Sequence, residues 1–168
     1  MFTTGDARRF LTKLGADEFY IRLMLHYLVE SGSLYSIGKD AYTFHRNEAA
    51  IGFKFRPFDY GLQYALIIRK IWTQQSVPAI VTTGKANPGA REIMDTRVIL
   101  HRIDRAKFFG FEYVNYGEVF VPVSDLEKTL LDFNYYHIKL SNETRESIRK
   151  KIDKVKFLEY EKRMIKSS

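Results

Sequence analysis

Two sets of residues have types and spacings that do chemistry. The first is cationic and hydroxyl-bearing and lies near the N-terminus: Thr3, Thr4, Arg8, Arg9, Arg22, His26 and Lys39. An arginine fork matches the O6 and N7 edge of guanine, histidine reaches a base or a phosphate, and a helix start with hydroxyls donates to phosphate. The set therefore predicts contact with DNA. The second set is Glu127, Lys128 and Asp132. Glu127 stands three residues after Ser124, the spacing of a capping box in which the carboxylate reaches back to the cap backbone. Lys128 and Asp132 stand four apart and pair on one helix face. Both relations are structural, so no residue is assigned a catalytic role.

Other chemistries find little footing. The histidines His26, His45, His101 and His137 show no ligand spacing, and there is no cysteine, which removes disulfides, Fe–S clusters and thiolate zinc. No cofactor or metal is expected. Thr82-Thr83-Gly84-Lys85 resembles the end of a phosphate loop. However, Ala79 occupies the first glycine position and Ala86 follows the lysine, so the motif fails. No Gly-x-Ser-x-Gly elbow occurs. An enzyme of nuclease or nucleotidyltransferase type, with Asp95, Asp104 or Asp132 on a metal, is the weakest of the competing readings.

The 168 residues carry 27 Lys plus Arg against 20 Asp plus Glu, a net charge of +7 that makes a polyanion partner plausible. The excess is uneven. Residues 1–50 balance at six and six, residues 51–136 carry eleven and nine, and residues 137–168 carry ten and five. A DNA reader at the N-terminus must therefore rely on local geometry. The basic tail, Lys139 to Lys166, reads either as a solvated face or as an electropositive surface for DNA or an acidic partner. No run of about 18 apolar residues is present, so no membrane span is expected. The opening MFTTGDARRF lacks the pattern of a signal peptide, and a reducing cytoplasm is the expected compartment.

The elements that would position these residues follow from period and punctuation. Thr3 and Thr4 open a helix that stops near Gly15. Asp17 opens another, with Ile21, Leu25 and Leu28 facing inward, that ends at Gly32. Leu34–Ile37, Gly38-Lys39-Asp40 and Ala41–Phe44 read as a hairpin. Helix, turn, helix, hairpin is the order of a winged helix-turn-helix, with the second helix in the major groove and Lys39 at the wing tip. A helix usually precedes this point. Either a C-terminal segment fills its place or the domain is trimmed.

Residues 46–58 read as a linker, followed by an apolar helix from Tyr60 to Trp72 and a strand at Ala79–Thr83. Thr83–Glu92 reads as a loop. Strands follow at Arg97–Ile103, Lys107–Val114 and Glu118–Val123, then a helix from Ser124 to about His137. A further helix carries Ile148, Ile152 and Val155, and a last one covers Lys156–Lys166. The expected fold is α+β: a winged helix-turn-helix over 1–46, then an α/β domain over 47–168 with a small, mostly antiparallel sheet and flanking helices.

The second half, with Ala65-Leu66, a strand with a Thr-rich exit, strand pairs and Ser124-Asp125-Leu126-Glu127-Lys128-Thr129-Leu130-Leu131-Asp132, resembles the AbiEi antitoxins of toxin–antitoxin operons. That family joins a short winged helix to an α/β domain with a Glu-Lys-x-Leu-x-Asp helix after its last strand. The resemblance covers about residues 2–137. It implies a non-enzymatic protein that binds inverted repeats in its own promoter, represses the operon and counteracts a nucleotidyltransferase-type toxin. A homodimer or cooperative assembly on DNA would double the contact. The alternative is a winged-helix regulator whose second domain senses a ligand or partner.

Overall fold

A computed structural model describes residues 1–166, so the last two positions of the unit expected over 47–168 lie outside the described residues. The chain is a mixed α+β protein with one three-stranded and one six-stranded sheet. The first unit runs β1 (Phe2–Thr3), α1 (Thr4–Thr12), α2 (Glu18–Glu30), β2 (Tyr35–Gly38) and β3 (Ala41–Thr43), with sheet order β1-β3-β2, all antiparallel. Thr3 caps α1: its hydroxyl accepts from the Asp6 N–H at 3.1 Å, and the Asp6 carboxylate accepts from the Thr3 N–H at 2.9 Å. Gly15, at φ 88°, ends the turn that follows. Asp17 caps α2 by accepting from the Tyr20 N–H at 2.7 Å. The inward stripe of α2 is the expected one, with Ile21 and Leu25 buried against Ala7 and Leu34. The strand β1 was not expected. It is two residues long, too short to show a period, and only its pairing with Tyr42 and Ala41 creates it.

The larger sheet is built from β4 (Phe58–Tyr60), β5 (Ala79–Thr82), β6 (Gly89–Ile93), β7 (Thr96–Arg102), β8 (Phe111–Tyr116) and β9 (Val119–Ser124). Its order is β6-β7-β5-β4-β9-β8. The pairs β5–β7 and β4–β9 are parallel, so the sheet is larger and more mixed than expected. Two parallel pairs need crossovers. The chain passes from β5 to β7 through the edge strand β6, and from β4 to β9 through the helix α3 (Leu62–Ile68) and the intervening strands; the helix α4 (Leu126–Tyr135) follows β9. The central strands β4 and β5 are buried along their whole length, as expected for strands covered on both faces.

Residues 46–58 are not a linker. Glu48–Phe55 forms a 3-10 segment with Ala49, Ala50 and Ile51 fully inside. The buried Tyr60 hydroxyl donates to the Ala49 carbonyl at 3.0 Å and accepts from the Gly52 N–H at the same distance. Gly52 and Pro57 look like loop punctuation, but Gly52 lies here because the Phe58 ring takes the place of a side chain. The helix expected from Tyr60 to Trp72 shortens to α3, because Phe58–Tyr60 is recruited as a central strand. The loop expected over Thr83–Glu92 likewise yields residues to β6, an edge strand.

The tail is two helices, α5 (Asn142–Arg149) and α6 (Lys154–Lys166). Ser141 caps α5, its hydroxyl accepting from the Thr144 N–H at 3.2 Å. The three apolar residues assigned to one docking helix separate: Ile148 is fully buried in α5, Ile152 is half-buried between the helices, and Val155 is 69% exposed in α6. No helix among the described residues is long and apolar enough to cross a membrane.

Candidate nucleic-acid interface

Thr4, Arg8, Arg22 and His26 line one cleft of about 510 Å³, together with Ser36, Asp40 and Tyr42. Three elements meet there: the start of α1, the exposed flank of α2 and the β2–β3 turn. Placement follows from helix geometry. Arg22 and His26 are four residues apart on α2, and Arg8 projects from the side of α1 that faces them. The turn is pinned to α1: the Thr4 N–H donates to the Asp40 carbonyl at 3.1 Å, and the Thr4 hydroxyl donates to the Asp40 carboxylate at 3.2 Å. Asp40 takes φ 59°, a left-handed conformation that aspartate tolerates in tight turns.

The two arginines of the cleft share a counter-charge. Glu18 accepts from both Arg8 and Arg22, each at 2.6 Å. The two arginine bonds outweigh desolvation and hold the Glu18 carboxyl below its ordinary range, the hydrogen bond from Arg22 being the largest influence. All three side chains are about half exposed or more, so these pairs exchange readily with a competing anion. The remaining residues of the set lie elsewhere. Thr3 spends its hydroxyl on the cap, Arg9 pairs with Asp6 at 2.6 Å on the outer side of α1, and Lys39 is exposed at the turn beside Asp40. The sequence marks Asp40 only as a turn residue and gives Ser36 no role. Only the closure of the hairpin onto α1 brings them to the cleft.

No other part of the described chain plugs the outer side of α2. Glu18, Phe19, Arg22, Leu23 and His26 are all exposed. A C-terminal segment does not fill the place of an earlier helix, since Phe10, Leu14, Tyr20 and Tyr27 stand open.

The Glu127–Asp132 motif is a buried assembly. The cap of α4 is Asp125, not Ser124: the Asp125 carboxylate accepts from the Lys128 N–H at 2.8 Å. Glu127 does not reach back to the cap. Its carboxylate accepts from the Asp153 N–H at 2.7 Å and pairs with Lys156 at 3.3 Å. The tail draws Glu127 away from its own helix cap, which a local spacing rule cannot foresee. Lys156 also pairs with Asp125 at 2.9 Å, and the Tyr160 hydroxyl donates to Asp125 at 3.1 Å. Burial alone would lower the Lys156 pKa. The Asp125 hydrogen bond and the charges of Asp125 and Glu127 reverse that and raise it.

Lys128 pairs with Asp132 as the spacing predicts, but deep inside, at 2% and 0% exposure. A surface pair of this kind is worth tenths of a kcal/mol, whereas removing one partner of a buried pair costs about 3–5 kcal/mol. The Ser124 hydroxyl donates to Asp59 on β4, which is also buried. Burial first, and the nearby Asp132 charge second, push Asp59 up to about 7, against the Ser124 hydrogen bond and the Lys128 charge. Burial raises Asp132 to about 6 despite Lys128. One oxygen of each carboxylate, and the Thr129 hydroxyl, lack a hydrogen-bond partner among the described residues.

Asp95 lies in the β6–β7 turn, Asp104 precedes a short 3-10 turn and Asp132 is inside α4. Among the described residues no three His, Cys, Asp or Glu side chains gather into a metal-binding group. Thr82 is likewise structural, donating to the Phe55 and Pro57 carbonyls at 2.7 Å each. No family model and no curated protein matches this chain.

Proposed function

We propose that the chain is a non-enzymatic DNA-binding regulator whose first unit acts as a winged helix-turn-helix. On this reading it is an antitoxin of AbiEi type, which represses its own operon and counteracts a nucleotidyltransferase-type toxin. The supporting observation is the cleft that collects Thr4, Arg8, Arg22 and His26 between α1, α2 and the hairpin. The order helix, turn, helix, hairpin and the β1-β3-β2 sheet support the winged-helix reading, although the helix that usually comes first is not among the described elements. A phosphate or guanine edge entering the cleft displaces Glu18 from Arg8 and Arg22, and the hairpin brings Lys39 to the flanking backbone. Operator binding on inverted repeats then weakens as salt rises, because neutralised phosphates release counterions.

The test is a gel shift with promoter DNA and an Arg22→Ala, Lys39→Ala double variant. Reduced affinity with a shallower salt dependence is expected. Affinity equal to that of the unaltered chain overturns the DNA assignment. The toxin part is tested by co-expressing the neighbouring gene with and without this chain. A harmless neighbour removes the antitoxin reading.

One observation favours the second reading, a winged-helix regulator whose second domain senses a ligand. A cleft of about 850 Å³ in the larger unit is lined by Tyr64, Trp72, Tyr116, Glu48 and Arg97, a mixture of flat apolar and charged groups. A harmless neighbouring gene together with intact promoter binding selects this reading.

A further inference from the structure

The outermost line of α2 is carbon. At about 100° per residue, Phe19 and Leu23 each lie about 160° around the axis from Ile21, the buried centre of the inward stripe. Phe19 is 76% exposed and Leu23 39%. Arg22 stands about 60° to one side of Phe19, toward the cleft that it lines with Thr4 and Arg8. Tyr20 and Tyr27, both exposed, stand on the other side. The face is therefore an apolar ridge between two flanks that carry hydrogen-bond donors.

That order matches the cross-section of a DNA major groove. The groove is about 12 Å wide, a helix with its side chains fills it at about 10–12 Å, and its walls are the two phosphate backbones. Guanidinium and hydroxyl groups on one flank, and phenols on the other, donate to the phosphates of the two walls. The ridge between them meets the base edges. Of the groups that base pairs present there, only the thymine 5-methyl is apolar; the rest donate or accept hydrogen bonds. A carbon ridge against an amino group or a carbonyl strips its water and leaves it unpaired, a penalty that a methyl group does not incur.

We propose that Phe19 and Leu23 select thymine through its 5-methyl group, on base pairs next to the one that Arg22 reaches. The inference rests on the DNA reading of the first unit and adds the base that this helix selects. The two side chains rise about 6 Å apart along α2, close to two base-pair steps of about 3.4 Å each, so each meets its own methyl. Hiding one methyl from water is worth about fourfold in affinity, and hiding two about fifteenfold.

The test is a gel shift with promoter duplex made with thymidine or with deoxyuridine, which removes the methyl groups and leaves every base-pair hydrogen bond in place. The unaltered chain should bind the uracil duplex about fifteenfold less tightly. A Phe19→Ala, Leu23→Ala double variant should bind both duplexes alike, near the weaker value. It also cancels any change in duplex shape, which both proteins feel equally. Neither side chain belongs to the core cluster of the first unit, so the variant keeps its fold, and an unchanged thermal transition checks this. Phe19→Ala alone, at the more exposed position, should lose about fourfold of the discrimination. Equal affinity of the unaltered chain for the two duplexes overturns the methyl assignment and leaves the DNA reading standing. A double variant that still prefers thymine also overturns it, because the discrimination then lies in other residues. A chain that binds neither duplex removes the DNA reading, and this inference with it.

Discussion

Glu18 stands between Arg8 and Arg22 and accepts from both guanidinium groups. It is therefore a built-in competitor for any anion. Glu18→Gln removes the competing charge and leaves both arginines free, so promoter DNA should bind several-fold tighter, most visibly at low salt where exposed charges are least screened. Unchanged affinity in a titration at low salt would separate the arginines from DNA contact.

Asp59 makes the opposite kind of prediction, one about stability. Its folded pKa is about 7, above the ordinary 3.8, and that of Asp132 is about 6. A carboxyl with a raised folded pKa holds its proton better in the native state. Its stabilising contribution is present below about pH 4 and is lost as pH climbs through 6 and 7. The groups facing Asp59 are Asp132, Asp125, Lys128 and Ser124. Asp59→Asn keeps an acceptor for the Ser124 hydroxyl and removes the titration. The variant should unfold at higher denaturant than the parent at pH 8, by no more than about 4 kcal/mol, and should match it near pH 4. Parallel stability curves across that range would show that Asp59 does not titrate there.

At the scale of elements, α6 is held against α4 by a few contacts that Gly110 makes possible. Gly110 has φ 71°, and a Cβ there would come within 2.7 Å of the Tyr160 ring and 2.9 Å of the Lys128 Cβ. Gly110→Ala should push Tyr160 away from Asp125 and loosen α6 ahead of the rest. Amide exchange that speeds up selectively across 154–166 is the expected result. Uniform change, or none, would mean that α6 is held by its other contacts, such as Arg163 on Phe109.

Elements with many turns or strands with long periods were legible in the sequence: α1, α2, the β2–β3 hairpin, β5, β7 and β9. Those defined by distant pairing were not. The strands β1 and β4 are two and three residues long and exist only through partners far along the chain. The same holds within the sites. Arg22 and His26 are readable from one helix, but Asp40 enters the cleft by tertiary closure, and Asp59 meets Ser124 from 65 residues away. Glu127 sits at capping-box spacing yet serves the tail, because a partner 26 residues on outcompetes its own helix end.

For the molecule as a whole, the question is whether the basic tail acts as charge or as scaffold, and the structure divides those roles by residue. Ile148 is fully buried in the main core, and Met164 packs with Phe109 and Leu131. Losing a buried aliphatic side chain of this size costs about 2–5 kcal/mol, against a total stability of about 5–15 kcal/mol. Removal of everything after Asn142 should therefore abolish cooperative thermal unfolding, and any loss of repression in such a variant reports lost structure. Lys150, Lys151, Lys154 and Lys162 are different: all are exposed, and no ion pair holds them within the described chain. Changing these four to glutamine takes the net charge from +7 to +3, because each substitution removes one positive charge. The melting temperature should barely move, since surface changes clear of buried or capped positions are nearly neutral. Affinity for DNA should fall for all sequences alike, with a shallower salt slope, because lost phosphate contacts carry no base information. If the four-glutamine protein instead binds promoter and unrelated DNA as tightly as before, the first unit supplies the whole electrostatic attraction. Arg8 and Arg22 must then do so from a segment whose own charges balance.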